Sequence, residues 1–158
     1  MEGKTHIAGG IAAGAFYLTF GGSMEHEALF IGSCALGSIL PDICHPNSMI
    51  GRRVPLLDNL ISEVFGHRTI THSLLILILT LFFFGWTTWP LGLEYGIFIG
   101  MVSHLVLDAF TKQGIQFFWP FKVKVGFPFG ITTGGMLEKA FMAMLITFIG
   151  YYGYTTYL

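Results

Sequence analysis

The sequence predicts an all-α fold: a polytopic membrane helix bundle of about five transmembrane helices, with a short interfacial amphipathic helix, in a single integral membrane domain over residues 1–158. Three observations carry this expectation. Of 158 residues, 53% are hydrophobic and only 11% charged, where a soluble domain has roughly 25% charged. The apolar residues gather in five segments separated by polar or turn-rich stretches. If each segment crosses a membrane, all eight Lys and Arg fall on one side of it. The apolar excess excludes a disordered chain, and a net charge of −1 leaves no basic footprint for nucleic acid.

The first segment, 7–20, is rich in Gly and Ala. The residues before it, Met1 to His6, show no clear small-residue cleavage site, so it reads as a retained first helix. The second, 28–40, is also short and small-residue-rich. These two are either thin-membrane spans or a hairpin packed within the bundle. Segments 73–89, 93–110 and 136–154 reach or approach the ~17–25 residues of a spanning helix. In the 41–71 connection, residues 56–65 place apolar side chains at helical spacing, which predicts a surface-lying amphipathic helix. The 112–135 connection carries Phe117, Phe118, Trp119, Pro120, Phe121, Phe127, Pro128 and Phe129 among glycines, and reads as irregular or re-entrant at the interface.

Five crossings put Lys4, Arg52, Arg53, Arg68, Lys112, Lys122, Lys124 and Lys139 on the side of the N-terminus and none on the other. The positive-inside rule makes that side cytoplasmic, with the C-terminus on the outer side of the cell's inner membrane. The same map gathers His6, Asp42, His45, His67, His72, His104, Asp108 and Glu138 at the cytoplasmic face, leaving His26 alone among histidines on the other. Polar loops account for Glu2, Asp58 and Glu63. They account poorly for histidines lying within or beside apolar runs, because ionisable groups are costly in a membrane and usually mark function.

His104 and Asp108 stand four apart, so one helical face presents an imidazole and a carboxylate together. Such a pair holds a metal, or simply hydrogen-bonds to itself. His67 and His72 are five apart and cannot both face one way from a regular helix, so one belongs to the preceding turn, with Thr71 or Ser73 as a cap. Arg68 between them offers a planar fork suited to a phosphate or a carboxylate. Asp42, Cys44 and His45 add a carboxylate, a thiol and an imidazole after the second segment. These donor types suit zinc, manganese or iron. Cys34 sits in an apolar run and reads as a core residue; two cysteines make no disulfide framework.

Leu40-Pro41-Asp42, Gly66-His67-Arg68 with Thr71-His72-Ser73, and Ser103-His104 with Leu107-Asp108 and Thr111, after an opening Thr5-His6-Ile7-Ala8-Gly9-Gly10, resemble the YdjM-like inner-membrane proteins, a family described as metal-dependent hydrolases. The resemblance runs along nearly the whole chain. It implies a small multi-helix membrane protein with a metal centre. Family members often have a second acidic residue where this chain has Cys44, so either Cys44 is a ligand or that position is not one. A weaker, motif-level similarity links the His104/Asp108 pair to zinc-dependent phospholipase C.

The expected function is therefore a membrane-embedded, metal-dependent hydrolase acting at the cytoplasmic face on a phospholipid or other lipid phosphoester, with membrane lipid as solvent and substrate. One or two divalent ions, zinc by preference, would be held by a subset of His6, Asp42, His45, His67, His72, His104 and Asp108. Glu138, or a carboxylate not bound to metal, would serve as general base and Arg68 would hold the oxyanion. The alternatives are a metal-ion transporter or sensor and a non-catalytic membrane scaffold. Transport is disfavoured by the near absence of polar residues inside the third and fifth segments.

Overall fold

Helices occupy all five apolar segments in the computed structural model, which describes residues 1–44, 48 and 70–158. They are α1 (Gly3–Thr19), α2 (Glu27–Gly37), α3 (Leu74–Phe84), α4 (Leu91–Ala109) and α5 (Met136–Tyr157), with 3-10 turns at Leu40–Cys44 and Ile70–His72. Among the described residues there is no strand, only the isolated bridges Thr111–Ile131 and Ile115–Val125. The expected amphipathic helix at 56–65 lies outside the described residues.

α4 is the hub. It packs against α1, α2 and α3, while α5 lies on α1. The α1–α2–α4 contacts are made by small residues. A Cβ on Gly10 would stand 2.5 Å from the Cys34 carbonyl, and one on Gly96 would stand 2.6 Å from the Phe30 carbonyl. Gly37 and Gly100 meet the backbone of the facing helix still more closely, at Ile97 and Cys34. Without a water-driven hydrophobic force between helices in lipid, such backbone approach supplies the packing. Of the glycines in the first two segments, Gly9, Gly10, Gly14 and Gly37 are spent inside the bundle, while Gly32 faces outward. Leu77, Met101, Leu105 and Ile115 close the core on the α3–α4 side.

Only α4, among the described residues, is both long and apolar enough to cross a membrane by itself. α2 and α3 have eleven residues each, a rise of about 16 Å at 1.5 Å per residue. The third segment is thus shorter than its sequence suggests. It ends at Phe84 because Gly85, Trp86 and Thr87 turn back onto the carbonyls of Leu81, Phe83 and Phe84. The Thr87 hydroxyl, 3.1 Å from the Phe84 carbonyl and 3.0 Å from Glu94 Oε1, ties that turn to α4. Nor does a side chain cap the start of α3. Ser73 Oγ donates back to the Ile70 carbonyl at 2.7 Å, and the Leu74 N–H donates to the Phe117 carbonyl at 2.8 Å.

That bond comes from the 112–135 connection, which is irregular as expected. It doubles back along the end of α4. The N–H groups of Phe127 and Ile131 donate to the carbonyls of Ala109 and Phe110, at 3.1 and 2.9 Å, satisfying acceptors that a helix C-terminus leaves open.

Candidate metal centre

Four separate parts of the chain bring ligand-type side chains to one point. His6 comes from the first turn of α1, Asp42 from the 3-10 turn after α2, His72 from the turn before α3, and His104 with Asp108 from the end of α4. His6, His72, His104 and Asp108 are all buried, while the Asp42 side chain keeps 13% of its surface exposed. The i, i+4 spacing aims His104 and Asp108 the same way, His104 Nε2 lying 3.7 Å from Asp108 Oδ2.

The donor and acceptor geometry is one-sided. The Ser38 carbonyl lies 2.6 Å from His104 Nδ1. A carbonyl can only accept, so Nδ1 carries the proton and a neutral His104 turns a bare Nε2 inward. That atom faces His72 Nε2 at 3.2 Å and Asp42 Oδ1 at 3.8 Å. His72 Nε2 in turn lies 3.5 Å from both Asp42 Oδ1 and Asp108 Oδ2, with its Nδ1 held 3.0 Å from Thr71 Oγ1. His6 reaches Asp108 Oδ1 at 3.2 Å and stacks on the His104 ring, centroids 3.8 Å apart. Both His6 ring nitrogens and Asp42 Oδ1 are buried without a hydrogen-bond partner.

Unpaired buried polar atoms are costly, and cations held by these groups would engage Asp42 Oδ1 and one of the two His6 ring nitrogens. Two overlapping sets have ligand atoms close enough to share an ion: His6, His104 and Asp108, and Asp42, His72 and His104. The residues fit a metal. Asp108 divides its oxygens, Oδ1 toward His6 and the N-terminal ammonium at 2.7 Å, Oδ2 toward His72 and His104.

Of the ligands expected from sequence, five converge: His6, Asp42, His72, His104 and Asp108. His45, His67 and Arg68 lie outside the described residues, as does the side chain of Cys44. Glu138 is buried beside the cluster but is occupied otherwise. Its Oε1 accepts the Glu2 N–H at 2.6 Å and its Oε2 the Gly134 N–H at 2.7 Å. It fastens the start of α1 to the start of α5. Sequence reasoning missed the Ser38 carbonyl and the Thr111 hydroxyl, which donates to the Asp108 carbonyl at 2.7 Å. Backbone acceptors leave no mark in a sequence, although Thr111, three residues past Asp108, stood within the motif.

This ordered set of residues has relatives. The family model described as YdjM inner membrane protein matches residues 1–157. The chain belongs to that family. It is 42% identical to the protein named "Uncharacterized protein YvsG" of Bacillus subtilis (strain 168), over 98% of this chain and 95% of that one. It is 32% identical to inner membrane protein YdjM of Escherichia coli (strain K12) over 122 residues, 73% of this chain and 62% of the relative, and equally similar to the Shigella flexneri protein of that name. This chain therefore spans less than two thirds of those two relatives. No solved structure matches it. The YdjM family is one of membrane proteins, which gives the apolar excess its solvent.

Proposed function

We propose that this YdjM-family protein is a membrane-embedded, metal-dependent hydrolase that cleaves a phospholipid or another lipid phosphoester at the cytoplasmic face of the inner membrane. The observation that supports this best is that His104 Nε2 and His72 Nε2 lie 3.2 Å apart, with Asp42 Oδ1 and Asp108 Oδ2 each 3.5–3.8 Å from both ring nitrogens. His6, Asp42, His72, His104 and Asp108 would hold one or two divalent ions, zinc by preference. His104 offers a single free lone pair, so a second ion would depend on Asp108 as the shared carboxylate, with His6 on its Oδ1 side. A bound divalent ion supplies Lewis-acid polarisation of the phosphoryl group and a water acidic enough to react near neutral pH.

The chain's own groups supply the rest. Ser38 fixes the His104 tautomer, and Thr71 orients His72, so the ligand atoms are aimed before any ion arrives. Asp42, the one cluster carboxylate with an exposed portion, is the group placed to take a proton from water where it is not itself a ligand. That role passes from Glu138, whose oxygens already hold two backbone N–H groups. Arg68 is retained as the anion-holding residue on its chemistry alone. An amphiphilic substrate suits the surroundings. An apolar groove of about 910 Å³ runs between α1, α4 and α5 from Gly9, one turn after His6, and Leu107, next to Asp108, to Phe16 and Phe148.

The lysine and arginine distribution supports a cytoplasmic N-terminus and an outer C-terminus. The deciding experiment is metal content per chain by mass spectrometry on detergent-purified protein, beside the His104→Ala/Asp108→Ala variant, followed by turnover of lipid phosphoesters. Metal in the wild type, absent from the variant, with phosphoester cleavage that tracks it, supports the hydrolase. Metal without turnover of any ester favours a sensor or transporter, and a folded protein that takes up no added metal rejects the mechanism.

A further inference from the structure

The connection between α4 and α5 has a composition that the metal cluster does not use. Residues 111–135 contain three lysines and no Asp or Glu. Lys112, Lys122 and Lys124 are exposed, and among the described residues none of them has an acidic partner. Large apolar side chains stand beside them, with Phe121 70% and Phe129 87% exposed and Phe118, Val123 and Phe127 at least half exposed. Through Phe121-Lys122-Val123-Lys124 the two kinds alternate.

The backbone beneath is tied down. Ile115 and Val125 exchange both hydrogen bonds of a bridge, at 2.9 and 2.8 Å, and Ile115 is buried in the core. Exposed Phe110 on one side and Met136 and Leu137 on the other continue the apolar surface onto α4 and α5.

We propose that this platform is a binding surface for anionic phospholipid headgroups of the leaflet at the metal cluster's end of the bundle. The aromatic rings enter the interface between headgroup and acyl chain. The lysines extend along it and take phosphates with their ammonium groups. An acidic protein would answer the lysines but leave the phenylalanines, continuous with the membrane-facing helices, in water. An uncharged lipid surface would answer the phenylalanines alone.

The platform also touches two of the four cluster-bearing parts of the chain. It holds the carbonyls of Ala109 and Phe110, directly after Asp108, and it supplies the acceptor for the Leu74 N–H, two residues after His72. Headgroup binding there sets the depth of the cluster in the leaflet. This inference does not rest on the metal or on hydrolysis.

The test uses the full chain in nanodiscs, with Trp86→Phe and Trp89→Phe leaving Trp119 as the single tryptophan of the three. Its fluorescence is read against brominated phosphatidylglycerol and brominated phosphatidylcholine. Phosphatidylglycerol should quench Trp119 more strongly at low salt. Lys112→Gln/Lys122→Gln/Lys124→Gln should remove the difference, each lysine contributing up to about fivefold in local enrichment, and high salt should shrink it. Phe121→Ser/Phe129→Ser should weaken quenching by both lipids. Helical content by circular dichroism checks that each variant is folded. Equal quenching by the two lipids, no quenching by either, or a preference that survives the triple lysine variant in folded protein overturns the proposal.

Discussion

Gly100 gives the sharpest test of how the helices and the His/Asp cluster are joined. It sits one turn before His104, where α4 meets α2. A Cβ added there would collide with the Cys34 carbonyl and stand 2.7 Å from the Ser38 nitrogen and 2.9 Å from the Gly37 carbonyl carbon. These are backbone atoms and cannot swing aside. Restoring contacts of about 3.5–4 Å requires the two helices to part by roughly 1 Å. Overpacking of this kind costs about 1–3 kcal/mol, and the parting also stretches the buried bond from His104 Nδ1 to the Ser38 carbonyl, a further ~1 kcal/mol. Alanine's better helix propensity returns about 1 kcal/mol. Gly100→Ala should therefore destabilise by about 2 kcal/mol.

Gly32 and Gly150 are the controls, since an added Cβ meets nothing there, and alanine at either should stabilise by up to about 1 kcal/mol. The assay is thermal unfolding followed by circular dichroism in one detergent, with metal content measured alongside. Gly100→Ala should lower both the melting temperature and the metal bound. A Gly100→Ala protein as stable as Gly32→Ala, with its metal intact, would refute the close backbone approach and its link to His104.

Three further outcomes follow from the geometry. His6→Ala should halve the metal per chain if two ions share Asp108, and should leave the stoichiometry at one with weaker affinity if there is a single ion; mass spectrometry with a chelator titration separates these. Glu138→Ala should cost about 2–4 kcal/mol, because two backbone N–H groups lose their acceptor, yet leave the metal in place; loss of metal with the helices intact would move Glu138 into the centre. Thr111→Val should lower the melting temperature by an amount corresponding to about 1 kcal/mol, the worth of its bond to the Asp108 carbonyl, and an unchanged melting temperature would remove Thr111 from the support of the site.

The order and approximate places of the five helices were legible because long apolar runs separated by Gly, Pro and charge admit few other readings. The ends were less so. The run 73–89 reads through Gly85 as one apolar stretch, yet the local turn that Thr87 makes with Phe84 and Glu94 ends the helix at Phe84. The convergence of His6, Asp42, His72, His104 and Asp108 could be anticipated from the membrane map, since helix ends on one face share a depth. What joins them could not. The His104 tautomer depends on the Ser38 carbonyl, 66 positions away, and the place of Glu138 depends on two backbone N–H groups. Neither interaction involves a distinctive side chain at both ends.

The brevity of α2 and α3 bears on the solvent itself. Each rises about 16 Å, against a hydrocarbon layer of about 30 Å, while α4 at nineteen residues nearly matches that layer. Were all five helices to cross the bilayer, such unequal members would impose hydrophobic mismatch on the lipid around them. The bilayer would then thin beside α2 and α3, or polar groups and water would descend to meet their ends. Both short helices adjoin the cluster, through Asp42 and His72. Bilayer thickness would thereby become a physical control on the water reaching these side chains, set by acyl-chain length and independent of headgroup charge.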